Sequence, residues 1–237
     1  MNLRSVPTFA LGLAATGAVM AASVRTRAGT PSARRIEPLV RTWARAWLIP
    51  AGVRLEVEGR HHVTPGQRYV VVSNHLSNLD SMVLLAGLGL PLRFLAMREL
   101  FDVPLLGSAL RRLGMIEVDR DNPHSAMIAQ GVSQAMADGA SVMVFPEGQT
   151  SHDGSLNRFR IGAFSIAIEQ EVPILPVTLI GTREVWAPGD NAIHRGVVRF
   201  VIHKAIETQG LTQQDAPALR EQSRASIASA QCSPFRG

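Results

Sequence analysis

The sequence is poor in cysteine, lysine and aromatic residues, and each shortage excludes a class of protein. Its single cysteine, Cys232, lies in a polar tail, which excludes an internal disulfide framework and argues against a thiol nucleophile or a zinc cluster. Lys204 is the one lysine, so arginine carries nearly all of the positive charge. Aromatic residues make up only 5% of the chain and are not interleaved with the basic residues outside one helix, so nucleic-acid binding is not expected.

The positive charge still calls for an explanation. A formal net charge of +5 fits an anionic partner, such as a membrane surface or a phosphorylated substrate, although arginine enrichment is also a product of genome base composition. With 237 residues and no obvious linker, the chain can bury one substantial core. We expect a main domain over residues 51–208, preceded by a hydrophobic and amphipathic segment over 1–50. Residues 209–237 are predicted to form a C-terminal helix and a polar tail.

The N-terminus contains an uncharged run, residues 9–24, that is shorter than the roughly 20 residues a comfortable membrane span requires. Three interpretations are open: a weak membrane anchor, a signal peptide ending near residues 21–22, or a segment lying in the membrane interface. The arginines that follow favour a cytoplasmic location for that side of the chain. They are Arg25, Arg27, Arg34 and Arg35.

An amphipathic helix is predicted after this run. Its apolar stripe recurs at spacings of three and four and consists of Ile36, Leu39, Val40, Trp43 and Trp47. The arginines at positions 34, 41 and 45 lie off the stripe. Tryptophan opposite arginine is typical of a helix lying among lipid headgroups, whereas the alternative is an amphipathic helix docked on the protein core. Pro50 and Gly52 are expected to end it.

Short apolar runs alternate with helical patterns through the rest of the chain. The runs typical of strands are residues 53–57, 69–73, 115–118, 141–145, 174–180 and 197–202. Helical patterns cover residues 81–88, 125–137 and 164–169. Asp215 followed by Pro217 is expected to mark the start of a terminal helix. Strands separated by helices predict a single α/β domain with a mostly parallel central sheet flanked by helices.

A polar segment directly after residues 69–73 contains His75 and, five residues later, Asp80. Five residues on a regular helix turn through about 500°, so these side chains can meet only if His75 precedes a helix that Asp80 begins. Ser77 and Asn78 are natural capping residues and allow this arrangement. His75 would then lie at the carboxyl end of a strand, where open α/β sheets form binding crevices. The alternative is that Asp80 only stabilises the N-terminus of a helix and that His75 is a hydrogen-bonded residue of the core.

Four segments in order resemble the signature blocks of the glycerolipid acyltransferases, above all the 1-acylglycerol-3-phosphate acyltransferases. The first and third blocks correspond to residues 74–80 and 145–148. The second and fourth correspond to residues 114–120 and 172–177. The resemblance covers roughly residues 53–205 and implies an acyltransferase. Together with the N-terminal segment and the arginines that follow it, it leads us to expect a membrane-associated enzyme at the cytoplasmic face of the cell membrane.

The resemblance also implies a role for each matched residue. His75 is expected to take the proton from a lipid hydroxyl as that hydroxyl attacks an acyl thioester, while Asp80 orients the ring. The acceptor lipid is expected to bind Arg120, Glu147, Gly148, Asn74 and Ser151. No metal or other cofactor is expected. The partners would be a lysolipid acceptor, a thioester donor (acyl-CoA or acyl-carrier protein) and a membrane surface.

Three positions depart from the family pattern, and two of them lose a cation. The third block usually continues with Thr-Arg-Ser, whereas residues 149–151 read Gln-Thr-Ser, and Met97 stands where relatives commonly carry a lysine. Arg98, Arg158 and Arg160 lie near these positions in sequence and are candidates to compensate. The acceptor is therefore open between lysophosphatidic acid and another lysolipid, such as a lyso-ornithine lipid.

Other chemistries lack their motifs. Residues 131–135 superficially resemble a hydrolase nucleophile elbow but lie within a helical pattern. Residues 87–89 lack the third glycine and the acidic partner of a dinucleotide site. The histidine-containing pairs at 61–62 and 152–153 have no metal-ligand partners at a fitting spacing. A catalytically silent membrane-binding relative is the alternative to an enzyme.

Overall fold

A central sheet organises the structure, a computed structural model that describes residues 5–25, 33–104, 106–119 and 126–231. Its strands are β1 (Val53–Glu58), β2 (Val70–Ser73), β3 (Leu92–Met97), β4 (Ile116–Val118), β5 (Ser141–Val144), β6 (Ile174–Ile180) and β7 (Gly196–Ile202). Their order across the sheet is β1-β7-β6-β2-β5-β3-β4, and each neighbouring pair is parallel except β6 with β7. The predicted single α/β domain with a mostly parallel sheet is therefore confirmed.

Helices precede, connect and follow these strands. They are α1 (Ser5–Arg25), α2 (Ala33–Ala51), α3 (Asp80–Gly87), α4 (Arg98–Phe101), α5 (Leu106–Arg112), α6 (Ala126–Ala137), α7 (Gly162–Glu169), α8 (Thr182–Val185) and α9 (Ala216–Gln231). The predicted terminal helix corresponds to α9. Sequence analysis missed β3, because Arg93 interrupts its short apolar run; this arginine is only 3% exposed and donates to the carbonyl of Leu92.

The central strand β2 shows why the sheet is covered on both faces. Val70, Val71 and Val72 are all fully buried, and alternate residues on a strand point to opposite faces. Val71 packs in the layer that contains α2 and α3, whereas Val70 and Val72 pack in the layer that contains α6, α7 and α9. Burying a valine stabilises the fold by roughly 1.5–3 kcal/mol, so this strand anchors both layers.

The apolar stripe of α2 is docked on the core. Val40, Trp47 and Leu48 are buried there against residues of the sheet and of α3. Of the two interpretations of the stripe, the structure therefore shows the core-docked helix. Leu39 and Ile49 remain outward, with 39% and 72% of their surface exposed.

Helix α1 lies directly against α2. A Cβ atom built on Gly12 would approach the Trp47 ring to 2.4 Å, so only glycine permits this contact. The ring of Phe9 packs edge-on against Trp47 at 6.1 Å and against Trp186 at 5.3 Å between centroids, and we call these three residues the aromatic cluster. Within the ranges that the structure describes, none of the helices combines the length and hydropathy that crossing a bilayer requires.

Candidate active site

Two loops meet at the carboxyl edge of the sheet because β2 and β5 are parallel neighbours. Val72 lies opposite Val144 in their register, so the chain leaves both strands toward the same edge. The loop after β2 carries His75, and the loop after β5 carries Glu147. The topology therefore places the first and third signature blocks side by side.

His75 and Asp80 form the expected contact. Nδ1 of His75 lies 2.8 Å from Oδ2 of Asp80. The same carboxylate oxygen accepts the backbone amides of Leu76 at 2.6 Å and Ser77 at 2.8 Å. Asp80 is the first residue of α3, where the helix dipole favours a negative charge. The turn before α3 thus aims three donors at one oxygen and fixes the ring.

The two partners differ in their access to solvent. The His75 side chain is 22% exposed, whereas Asp80 is completely buried. The imidazole stacks on Phe145, with 4.0 Å between ring centroids and an angle of 14° between planes. With Nδ1 donating to the carboxylate, Nε2 is left as the acceptor, and it has no hydrogen-bond partner among the residues that the structure describes.

The backbone of His75 is held on both sides by the β5 loop. Its amide donates to Oε1 of Glu147 at 2.9 Å, and its carbonyl accepts the amide of Ser151 at 2.8 Å. The other oxygen of Glu147 accepts the backbone amide and the side-chain amide of Asn157, each at 2.9 Å. The Glu147 carboxylate, only 4% exposed, therefore hydrogen-bonds within the protein and links the loop of His75 to Asn157.

Asn74 and Ser151 are also turned inward. Both are buried, at 0% and 1% exposure. The side-chain amide of Asn74 donates to the carbonyl of Leu179 and its oxygen accepts the Leu179 amide, both at 2.8 Å. The Ser151 hydroxyl donates to Asp153 at 3.0 Å and accepts the amide of Gly154 at 3.1 Å. These hydrogen bonds fix the loops that lie around His75.

The remaining predicted binding residues have different positions. Arg120 lies outside the described residues. Gly148 has a φ of +73°, a conformation that favours glycine, and a Cβ atom built on it would lie 2.7 Å from Nε of Arg160.

Hydrogen bonds from the hydroxyl and amide of Ser155, with a further one from Ser151, lower the pKa of Asp153 to about 2. The loop therefore keeps a negative charge at neutral pH.

Several supporting residues were not predicted from the sequence. The stacking of Phe145 on the imidazole and the Asn157 contact depend on side-chain directions that no local pattern reveals. The hydroxyl of Ser77 donates to the carbonyl of Trp186 at 2.7 Å, across 109 residues of sequence. The only available signal was that Phe145 falls within the third signature block.

Replacing Glu147 with Gln should destabilise the fold by roughly 1–3 kcal/mol, the usual cost of leaving a buried donor unpaired. The new amide group cannot accept a hydrogen bond, so either the His75 amide or the Asn157 amides lose their partner. Urea unfolding measures the change. Glu169→Gln, at an exposed position on α7, is the control and should leave the unfolding free energy within about 0.5 kcal/mol of wild type. Equal stabilities would contradict the inward role of Glu147.

The arrangement has a clear chemical capability. A neutral imidazole whose Nδ1 is held by a buried carboxylate and whose Nε2 is free can accept a proton from a hydroxyl group. The carboxylate then stabilises the imidazolium that forms. In the part of the chain that the structure describes, no group of three or more His, Cys, Asp or Glu residues could hold a metal ion.

Comparison with known proteins identifies the family. The family model described as Acyltransferase matches residues 54–180. Human 1-acyl-sn-glycerol-3-phosphate acyltransferase alpha is 36% identical over 181 residues, which cover 74% of this chain and 63% of the human protein. The 1-acyl-sn-glycerol-3-phosphate acyltransferase of Pseudomonas aeruginosa is 31% identical over 186 residues, which cover 76% of this chain and 71% of that protein.

The fold has a close counterpart among solved structures. The crystal structure of PlsC, the 1-acyl-sn-glycerophosphate (LPA) acyltransferase from Thermotoga maritima, matches with a TM-score of 0.78 at 20% identity. The match covers 99% of this chain and 97% of that one, and it shows a shared fold. The chain spans somewhat less than two thirds of its mammalian relatives, 63% of the human and 62% of the bovine protein. From the family model and the sequence relatives together, the chain belongs to the acyltransferase family.

Proposed function

We propose that this protein transfers a fatty acyl group from acyl-CoA or acyl-carrier protein to the free hydroxyl of lysophosphatidic acid, giving phosphatidic acid. The observation that carries the proposal is the partly exposed imidazole of His75, held through Nδ1 by buried Asp80 with Nε2 free. The names of the human and Pseudomonas aeruginosa relatives support this acceptor. His75 acts as the general base.

The reaction follows from this geometry. Nε2 of His75 removes the proton from the acceptor hydroxyl, and the hydroxyl oxygen attacks the thioester carbonyl carbon. When the tetrahedral intermediate collapses, the carbon–sulfur bond breaks and the imidazolium returns its proton to the thiolate. The products are a new ester and a free thiol. We propose direct transfer without an acyl-enzyme, and no cofactor enters these steps.

The proposal assigns the other residues of the site by where they lie. Glu147, Asn74 and Ser151 hold the loops around His75 and act through it. Gly148 is kept as part of the acceptor site, and its missing side chain leaves room for the Arg160 side chain beside it. Arg120 remains the expected contact to the acceptor's glycerol phosphate.

An assay of purified protein with acyl-CoA or acyl-carrier protein and a panel of labelled lysolipids tests the function. Formation of phosphatidic acid and release of free thiol in a one-to-one ratio is the expected result. Thiol release without a new ester would identify a thioesterase instead. Absence of both, from protein that is folded and bound to vesicles, would favour the catalytically silent relative.

A second acceptor class is favoured by one specific observation. Thr150 and Met97 stand where relatives commonly carry arginine and lysine, which removes two cations from the expected phosphate site. Acyl transfer to a lysolipid without a phosphate, such as a lyso-ornithine lipid, would fit that loss. The same panel decides: a kcat/KM for lyso-ornithine lipid above that for lysophosphatidic acid would support the second acceptor.

We further propose that the protein works at a membrane surface, on the cytoplasmic face of the cell membrane. Val6 and Leu13, seven residues apart on one side of α1, are 54% and 62% exposed. Exposed apolar side chains flanked by arginine are typical of interfacial helices. Arg45 on α2 is exposed as well.

Replacing both Val6 and Leu13 with Ser should weaken binding to phosphatidylglycerol vesicles by at least about tenfold, because each apolar side chain contributes roughly 1.5–3 kcal/mol when buried in lipid. Cosedimentation with vesicles measures the bound fraction. Met127→Ser is the matched control, since Met127 is 62% exposed on α6. Equal loss in the control, or no loss in the double variant, would reject α1 as the membrane contact.

A further inference from the structure

The third signature block provides no cation to bind the phosphate of the acceptor lipid. Residue 150 is Thr and residue 97 is Met, so two positions expected to carry cations are neutral. Asp153 lies in the same loop and stays ionised at neutral pH. A lysophosphatidic acid phosphate brought to this loop therefore needs a cation from outside the third signature block.

Arg160 is held at the right place to supply it. Its backbone amide donates to the carbonyl of Pro146 at 2.7 Å, which folds the chain back over the turn that follows β5. A Cβ atom built on Gly148 would lie 2.7 Å from Nε and 2.9 Å from Cζ of Arg160. The guanidinium thus covers the glycine next to Glu147, whose carboxylate binds the amide of His75.

The Arg160 guanidinium is also available. Arg160 is exposed, and it makes no ion pair with any residue of the described part of the chain. By contrast, Arg98, the candidate nearest to Met97, is paired with Glu117 at 3.6 Å and Asp119 at 3.3 Å. The guanidinium of Arg160 therefore keeps its positive charge unneutralised, and its backbone is held by a hydrogen bond. A fixed backbone lowers the entropy that is lost when the side chain binds an anion.

We infer that Arg160 binds the phosphate of the acceptor lipid and replaces the arginine that relatives carry in the third block. The inference rests on the proposed function and deepens it, because it names the residue that selects a phosphate-bearing acceptor. The planar guanidinium can donate two hydrogen bonds to one phosphate beside the loop that carries the base.

Steady-state kinetics of Arg160→Gln test the inference. The KM for lysophosphatidic acid should rise about 10- to 100-fold, the range for losing hydrogen bonds to a charged group. The kcat should change less than about threefold, because the reacting atoms are not touched. The KM for acyl-CoA should stay at the wild-type value. A KM increase for acyl-CoA instead would assign the guanidinium to the donor's phosphates and overturn the inference.

Two variants separate a local contact from an effect of net charge. Arg54→Gln removes the same charge from β1, at the far edge of the sheet, and should leave the KM for lysophosphatidic acid unchanged. Adding Thr150→Arg to Arg160→Gln restores a cation to the third block and should recover at least half of the lost affinity. Equal effects of Arg54→Gln and Arg160→Gln, or a large effect of Arg158→Gln alone, would overturn the role of Arg160.

The outcomes distinguish this inference from the function on which it rests. If wild-type protein makes phosphatidic acid but Arg160→Gln has the wild-type KM, the function stands and the role of Arg160 is rejected. If wild-type protein acylates a lysolipid without a phosphate and not lysophosphatidic acid, both the acceptor and the phosphate site are rejected.

Discussion

Acyl transfer by the His75→Ala variant should fall by about 10³- to 10⁴-fold in kcat/KM, near the upper end of what a general base contributes. Alanine leaves no group to take the proton from the acceptor hydroxyl, and a hydroxyl that keeps its proton is a poor nucleophile at neutral pH. Transfer from acyl-CoA to lysophosphatidic acid, followed by product mass, measures the loss.

The effect of His75→Ala must be separated from a general effect of removing a histidine. His194→Ala is the control, since His194 is exposed in the segment between α8 and β7. The control should keep wild-type kcat/KM within about twofold. A His75→Ala variant that retains more than a tenth of wild-type activity would show that another group acts as the base.

Asp80→Asn should reduce kcat by about 10²- to 10⁴-fold, because a neutral amide cannot stabilise the imidazolium that forms on His75. It should also destabilise the fold by roughly 1–3 kcal/mol. Oδ2 of Asp80 accepts three donors, from His75, Leu76 and Ser77, while Oδ1 is buried without a hydrogen-bond partner among the residues that the structure describes. An asparagine that satisfies the three donors must leave its NH₂ group unpaired at the Oδ1 position.

Two measurements separate catalysis from folding in the Asp80→Asn variant. Thermal unfolding gives the stability, and kcat is then compared at a temperature where both proteins are fully folded. Nitrogen NMR of the His75 ring reports which nitrogen carries the proton, and we expect a mixture of tautomers in place of the Nδ1–H form. Asp190→Asn, at an exposed position, is the control. Wild-type kcat in folded Asp80→Asn would reject the orienting role of Asp80.

The sequence was sufficient to predict the contact between His75 and Asp80. The spacing of His75 and Asp80 permits contact only with the helix starting at the aspartate, and α3 does begin there. Of the two predicted capping residues, Ser77 bonds to the start of the helix, since its hydroxyl accepts the amide of Leu79 at 3.1 Å. The other, Asn78, is exposed. The alternation of strands and helices was likewise sufficient to predict the sheet that carries the pair.

The directions of the surrounding side chains could not be predicted. Glu147 and Asn74 have the polar character of binding residues, yet their partners are the amides of Asn157 and the backbone of Leu179. These contacts depend on which loops the sheet order brings together, and residue types along the chain do not contain that information. The stripe of α2 was ambiguous for a similar reason, because apolar periodicity predicts a buried face without naming what buries it.

The aromatic cluster has a practical consequence for anyone who shortens this chain to ease its expression. Deleting α1 would uncover the rings of Trp47 and Trp186, which stack at 6.2 Å between centroids. The carbonyl of Trp186 accepts a hydrogen bond from the hydroxyl of Ser77, and the amide of Ser77 donates to Asp80. A truncated protein would therefore expose an aromatic surface that promotes aggregation. Because Trp186 is hydrogen-bonded to the turn that orients His75, the truncation would also lower activity. That loss would be mistaken for a poor choice of substrate.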